Sequence, residues 1–221
     1  MEVVPSPLFK YYGERKWAER FLVGELLCWS VSYYRDLEDE IRGDKNEGRS
    51  EYRPQGGLVI NNITQGTSFC SPSSAMLSAV KQDEIFAFCM STSSGAVVAD
   101  QLGKTFVEIL DGPEFVRRVR AALPENAAFF SRAVEYYDAS NPPEARWAVP
   151  EFISTAKQRS PQYVSQAEYR LVFSLTGALE FENVALSITT RQAQPTPRRN
   201  SYPKYMIKAG DLTDICRLRG T

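Results

Sequence analysis

The stretch Tyr163–Phe173, Tyr-Val-Ser-Gln-Ala-Glu-Tyr-Arg-Leu-Val-Phe, constrains this chain more than any other. From Tyr169 to Phe173 it is rich in aromatic and β-branched residues, which favour a buried strand. Gln166 and Glu168 precede that run, one residue apart. If the extended conformation begins by Ser165, both side chains point to one face and set an amide beside a carboxylate at the mouth of a strand. The plainer reading is a polar strand start, with Glu168 paired to Arg170 or solvated. Earlier in the chain, Glu84–Met90 reads as a second apolar strand and ends in Ser91-Thr92-Ser93-Ser94-Gly95.

The other runs fill in a mixed architecture. Leu8–Tyr12 reads as a strand. Glu14–Leu27 reads as a helix, with Trp17, Phe21, Leu22 and Leu26 at near-helical spacing and Gly24 weakening its last turn. Leu26–Val31 reads as a further short strand. Ser32–Gly57 is polar, charged and glycine-containing, and reads as a long surface excursion. Leu58–Ile60 reads as a strand, and Ser71–Val80 as a helix with Ser71 as N-cap and Pro72 in its first turn. Ala96–Leu102 reads as a helix and Thr105–Leu110 as a strand. Gly112–Leu123 reads as a helix whose Arg117, Arg118 and Arg120 form a solvated face rather than a nucleic-acid patch. Arg132–Tyr137, Ala178–Phe181, Val184–Thr189 and Tyr205–Lys208 read as strands. Asn141–Pro143 reads as a breaker, Trp147–Thr155 as a helical segment and Gln192–Tyr202 as a loop. The sum is an α+β protein with many short strands and few helices. No linker divides residues 1–221, so a single domain is expected.

The composition restricts the chemistry sharply. The chain contains no histidine, which excludes Ser-His-Asp and Cys-His hydrolases and His-ligated zinc. The four cysteines, Cys28, Cys70, Cys89 and Cys216, form no Cys-x-x-Cys pair, so no metal is expected and the thiols read as reduced. The formal net charge of −1 gives no global field that would draw the protein onto nucleic acid or membrane. No apolar run reaches about 18 residues, and the N-terminus does not look like a signal peptide. A cytoplasmic protein with no membrane partner is the expectation. Its chemistry has to run on carboxylates, hydroxyls, amides, Lys, Arg and Tyr.

Ser91-Thr92-Ser93 at a strand end, followed further on by Gln166-Ala167-Glu168 at the start of another, resembles the ADP-ribosyltransferase superfamily. Many of its members carry a Ser-Thr-Ser strand end and a later (Gln/Glu)-x-Glu pair. The helix and strand of Ala96–Leu110 match the elements that follow Ser-Thr-Ser there. Phe9-Lys10-Tyr11-Tyr12, Gly24-Glu25-Leu26-Leu27-Cys28-Trp29-Ser30 and Gln166-Ala167-Glu168-Tyr169-Arg170 also resemble a poorly characterised bacterial domain family with a Lys-Tyr first strand. The resemblance covers about residues 8–175. It implies a split mixed or antiparallel sheet with a few flanking helices. It also implies NAD as co-substrate, and a protein or nucleic-acid acceptor. From the family's usual company comes the expectation of a toxin or phage-defence effector, with an antitoxin or inhibitor as possible partner.

By that resemblance Glu168 stabilises the oxocarbenium-like state formed when the nicotinamide–ribose bond breaks, and Gln166 orients the acceptor. Ser91, Thr92 and Ser93 brace the ribose or Glu168, and Lys10 and Tyr11 line the NAD pocket. Tyr11, Tyr12 or Trp29 could stack on nicotinamide, or simply pack in the core. Toxin-like members carry an arginine on the first strand, where this chain has Lys10. A lysine holds phosphate as a point charge, without the bidentate fork. The alternatives are therefore a catalytically silent domain of the same fold that binds a nucleotide or protein partner, and an NAD glycohydrolase. In an open cleft, Glu168→Gln would cost rate and little stability.

Overall fold

The computed structural model describes residues 3–37, 43–141, 150–189 and 199–220. Its first part runs β1 (Leu8–Tyr12), α1 (Arg15–Leu22), β2 (Glu25–Ser30), α2 (Val31–Asp36), β3 (Arg49–Tyr52), β4 (Leu58–Asn62), β5 (Thr67–Ser71), β6 (Ser74–Ala79) and β7 (Phe86–Ser91). There follow α3 (Ala96–Leu102), β8 (Thr105–Ile109), α4 (Gly112–Ala121), β9 (Ala128–Ala133), β10 (Glu135–Tyr137), α5 (Pro150–Ile153) and β11 (Ala156–Gln158). The chain continues through α6 (Pro161–Ser165), β12 (Glu168–Ser174), β13 (Val184–Thr189), β14 (Lys204–Lys208) and β15 (Cys216–Arg219). The class is α+β, with mostly antiparallel sheets and few helices.

The main sheet is organised around β7. One edge of β7 pairs with β12 along its whole length, from Phe86↔Phe173 to Ser91↔Glu168, and β9 continues beyond β12. The other edge is shared. β2 takes its beginning, at Ser30↔Phe86 and Trp29↔Ala87, and β1 takes its end, at Phe9↔Ser91. β1 leads on to β8 and β15, and β2 to β14. The sheet therefore splits beside Phe88–Met90. Three smaller sheets stand apart: β13-β6-β3, the hairpin β4-β5 and the parallel pair β10-β11.

Strand alternation gives the main sheet two unlike faces. Phe88, Met90, Tyr169, Leu171 and Phe173 join Leu8, Leu26 and Cys28 in the principal core under Phe21 of α1 and Phe115 and Val119 of α4. Phe21 is its hub, 5.9 Å from the Phe88 ring and 5.6 Å from Phe115. α4 starts where the sequence places it, because Asp111 accepts the Glu114 N–H at 2.9 Å and Pro113 occupies the first turn. Its arginines are tied down: Arg117 and Arg118 to Glu114, Arg118 also to Asp214, and Arg120 to the carbonyls of Pro124 and Glu125. The opposite face carries a smaller apolar cluster around Ala87, Val172, Val31 and Ile85.

Several elements differ from the sequence expectation. The helix expected to Leu27 stops at Leu22, because Gly24 turns the chain with φ +85° into β2. The Ser32–Gly57 excursion is folded structure: it holds α2 and β3, and Ser32, Asp44, Glu47, Ser50 and Glu51 are buried. Ser71–Val80 is not a helix but the end of β5 followed by β6, which lies between β13 and β3 and is fixed by pairing with both. Arg132–Tyr137 divides into the end of β9 and the whole of β10. Ala178–Phe181 forms 3-10 turns rather than a strand. Of the Trp147–Thr155 segment, Pro150–Ile153 is helical, and residues 147–149 lie outside the described residues, as does most of the Gln192–Tyr202 loop.

Gly24 is where β2 meets the C-terminal segment. A Cβ there would stand 2.0 Å from the Gly210 carbonyl oxygen, on a backbone that side chains rarely adopt. Gly24→Ala should destabilise the protein by about 2 kcal/mol or more, measured as a lower urea midpoint with an unchanged slope. An unaltered midpoint would mean that this crossing is not tight.

Candidate functional site

A cavity of about 470 Å³ opens where the sheet splits. Its lining takes Phe88 and Met90 from one face of β7, and Cys89 and Ser91 from the other, so it passes through the gap between β1 and β2. In an antiparallel ladder successive residues direct their backbone groups to opposite edges. Ala87 and Ser91 meet β2 and β1, and Cys89 between them faces the gap. Lys10 Nζ donates to the Cys89 carbonyl at 2.7 Å and lies 4.4 Å from the Phe88 ring centroid.

Aromatic rings form the walls, and cations stand on them. Trp29 of β2 stacks on Tyr33 of α2 at 4.5 Å and 19°, and Lys204 Nζ lies 5.5 Å from the Trp29 ring. At the rim, half-exposed Trp17 has the Arg20 guanidinium 5.4 Å from its ring. These pairs leave positive charge beside flat apolar surface.

At the back of the cavity lie Lys157, Gln166, Glu168 and Arg170. Glu168 and Arg170 are two apart on β12 and share a face. Arg170 Nε donates to Glu168 Oε1 at 2.6 Å, so the plainer sequence reading, a pair with Arg170, is what forms. The rest of the guanidinium is clamped by Glu47, with Nη1 on Oε1 and Nη2 on Oε2 at 2.8 Å, while Nη1 also donates to the Ser154 carbonyl at 2.8 Å. Lys157 Nζ makes an ion pair with Glu168 Oε2 at 2.8 Å, and among the described residues no other polar group meets Oε2. The ammonium also lies 4.9 Å from the Tyr163 ring. None of the four charged side chains is more than 6% exposed.

Burial alone would push the Glu168 carboxyl up. The charges of Arg170 and Lys157 outweigh it and hold the group well below the usual carboxylate range. Burial would likewise lower Lys157, but the carboxylates of Glu168, Glu47 and Asp44 prevail and raise it. Asp44 behaves oppositely: burial, then Glu47, push its carboxyl up. Burial takes the Cys89 thiol up to about 12, so it is not a nucleophile near neutral pH.

The residues singled out in the sequence divide into two groups. Lys10, Tyr11, Ser91, Gln166 and Glu168 line the cavity, and Ser91 is the register partner of Glu168. Thr92 and Ser93 do not line it. Thr92 N–H donates to the Ala167 carbonyl at 2.8 Å, Ser91 Oγ donates to the Gln166 carbonyl at 2.6 Å, and Ser93 N–H donates back to Ser91 Oγ. Tyr11 Oη donates to the Ser93 carbonyl at 3.0 Å. Ser91 and Thr92 thus fasten the end of β7 to the start of β12, and Ser93 ties back to Ser91 and Tyr11. The same-face argument for Gln166 and Glu168 fails in its premise: the backbone is helical through Ser165, Gln166 caps that helix, and Ala167 turns with φ +44° before β12 begins. Gln166 is buried and lines the same cavity as the carboxylate by that turn rather than by strand alternation. Glu47, Lys157 and Asp44 were missed, and no motif in the sequence marks them.

Comparison with protein-family models, curated proteins and solved structures finds no match for this chain. Among the described residues no group of three or more His, Cys, Asp or Glu is placed to hold a metal ion. No helix among them is long and apolar enough to cross a membrane.

Because Glu168 is buried and doubly paired, the open-cleft expectation of little stability change on Glu168→Gln is replaced. The substitution leaves Arg170 and Lys157 facing Glu47 and should cost about 3 kcal/mol at pH 7. The folded carboxyl titrates below its unfolded value of about 4.3, so its contribution is complete above that pH and is lost as pH falls below it. Urea unfolding from pH 7 to pH 3 should show the gap between wild type and Glu168→Gln narrowing below about pH 4.3. A constant gap would contradict a depressed Glu168.

Proposed function

We propose that the protein is an NAD-dependent ADP-ribosyltransferase with its reaction centre where the sheet splits. One observation carries the reading: Ser91 lies directly opposite Glu168 at the cavity, and that carboxylate is kept ionised, with Lys157 the one polar group on its Oε2 among the described residues. A fixed negative charge whose Oε2 can accept a further hydrogen bond suits a ribose that becomes positive at C1′ and offers hydroxyls.

The cavity fits the co-substrate in size and chemistry. Its volume of about 470 Å³ falls in the range of small-molecule sites, roughly 300–1,000 Å³. Lys10 and Arg20 supply charge for phosphates, Lys10 without the bidentate fork that an arginine on β1 would have, and Trp29 and Tyr33 offer flat surface to a positively charged nicotinamide ring. In the reaction the C1′–N bond breaks and its electron pair leaves with nicotinamide. Glu168 stabilises the positive ribosyl carbon. A nucleophile of a protein or nucleic-acid acceptor, beside Gln166, forms the new bond to C1′ and releases its proton to solvent. Water in the acceptor's place makes the same site a glycohydrolase. A toxin or defence role, its inhibitor and a cytoplasmic setting belong to the same proposal.

The second reading, a silent domain that binds a nucleotide or protein partner, is favoured by one contact set: Glu168 already has Arg170 and Lys157 on its two oxygens, and Lys10 is engaged by Cys89. Measuring nicotinamide release, acceptor labelling and melting temperature with millimolar NAD separates the two. The transferase releases nicotinamide, and Glu168→Gln lowers that rate roughly 10²–10³-fold. Gln166→Ala weakens labelling of the acceptor more than hydrolysis. A raised melting temperature without nicotinamide release supports the silent domain, and neither signal rules out NAD as ligand.

A further inference from the structure

We propose that Glu47 and Lys157 are positioning residues for Glu168: Glu47 acts through Arg170 on Oε1, and Lys157 acts directly on Oε2. The inference rests on the reading of Glu168 as the group that meets the reacting ribose. It adds two residues from distant parts of the chain.

The geometry is a linear relay. Glu47 takes both free arms of the Arg170 guanidinium, so the plane of that guanidinium is set from the loop before β3. The remaining Nε is then the donor that fixes Glu168 Oε1. A guanidinium clamped on one edge cannot rotate to follow a carboxylate on another, so the direction of the Glu168 side chain is inherited from Glu47. The loop itself is pinned. Asp44 N–H donates to the Tyr34 carbonyl, Glu47 N–H to the Asp44 carbonyl, and Ala79 N–H to the Gly48 carbonyl. A Cβ on Gly48, which has φ +69°, would stand 2.6 Å from Val31.

On the other side, Lys157 is fixed by β11 and by the Tyr163 ring, whose hydroxyl donates to the Gly43 carbonyl at 2.9 Å. Both ends of the relay therefore close on the same loop. Around Glu168 the chargeable groups are Arg170 on its own strand, Lys157 on β11, Glu47 and Asp44 on the loop, Cys89 on β7, Tyr136 on β10, Tyr34 on α2 and Tyr163 on α6. Of these, Arg170 and Lys157 carry the positive charge, so removal of Lys157 leaves Glu168, Glu47 and Arg170 with a net buried negative charge and raises the carboxyl.

The experiment follows the carbon-13 carboxyl signal of Glu168 against pH in wild type, Lys157→Met, Lys157→Arg and Glu47→Asp, with nicotinamide release measured on the same samples. In Lys157→Met the Glu168 carboxyl should titrate at higher pH than in wild type, and Lys157→Arg should restore it. Glu47→Asp, which shortens the clamp without removing its charge and does not touch Glu168, should shift the Glu168 signal. For nicotinamide release, Lys157→Met should lower kcat about tenfold or more with KM for NAD within about twofold, and add an acid limb to the rate profile. An unmoved Glu168 signal and titration in both Lys157→Met and Glu47→Asp overturns the proposal. If wild type releases no nicotinamide, the transferase reading falls, and the carboxyl titration alone still decides the relay.

Discussion

A strand has two edges, and β7 serves three partners. β12 takes one edge completely, so β2 and β1 have to share the other, and each can pair only with an end of it. Between them a short length of β7 has no strand beside it. Backbone polar groups in the interior demand partners, and here a side chain answers the demand: Lys10 crosses the gap to the Cys89 carbonyl. The cavity is the space that this unequal sharing leaves. Its walls are the strands and helices that diverge from the two ends of β7, and its back is the start of β12 with Lys157 of β11.

The buried charges follow from the same divergence. The face of β12 that bears Glu168 and Arg170 points away from the main aromatic core, beside the smaller apolar cluster around Val172. Taking charges out of water costs several kcal/mol per ion unless each is closely paired. Arg170 and Lys157 against Glu168 alone would leave a surplus positive charge. A second carboxylate is required, and it arrives from 123 residues away, as Glu47. That requirement draws the charged segment before β3 onto the sheet. Replacement of a buried ion-pair set by well-packed apolar residues is often neutral for stability. What the ion pairs supply is a single direction for one carboxylate, in the cavity that Ser91 and Gln166 also line.

How far the sequence foretold this depended on whether a signal was local. β1, β7, α3, β8 and α4 fell close to their expected bounds, because apolar runs and caps there act over a few residues. The Ser-Pro pair shows the limit. At Ser160-Pro161 it opens a helix, with Ser160 accepting the Tyr163 N–H, and at Ser71-Pro72 it separates two strands. The second site is decided by β13 and β3, which pair on either side of β6, and such a tertiary choice leaves no mark in the dipeptide. β15, with Arg217 and Arg219 alternating outward, escaped because it is an edge strand defined by β8 alone. Around the cavity, Glu168 and Ser91 were legible from strand ends, and Arg170 from its spacing. Glu47 was not, since a glycine-containing charged segment has the same composition whether it is solvated or folded down over a guanidinium, and Lys157 was not, since a lone lysine in a three-residue strand carries no periodic signal.

The most direct test is a crystal structure of the protein grown with NAD. The account predicts the nicotinamide ribose in the gap between β1 and β2, with a ribose hydroxyl within hydrogen-bond distance of Glu168 Oε2 and the phosphates toward Lys10 and Arg20. NAD bound elsewhere on the molecule, or a gap still closed by Lys10 at saturating NAD, would contradict it.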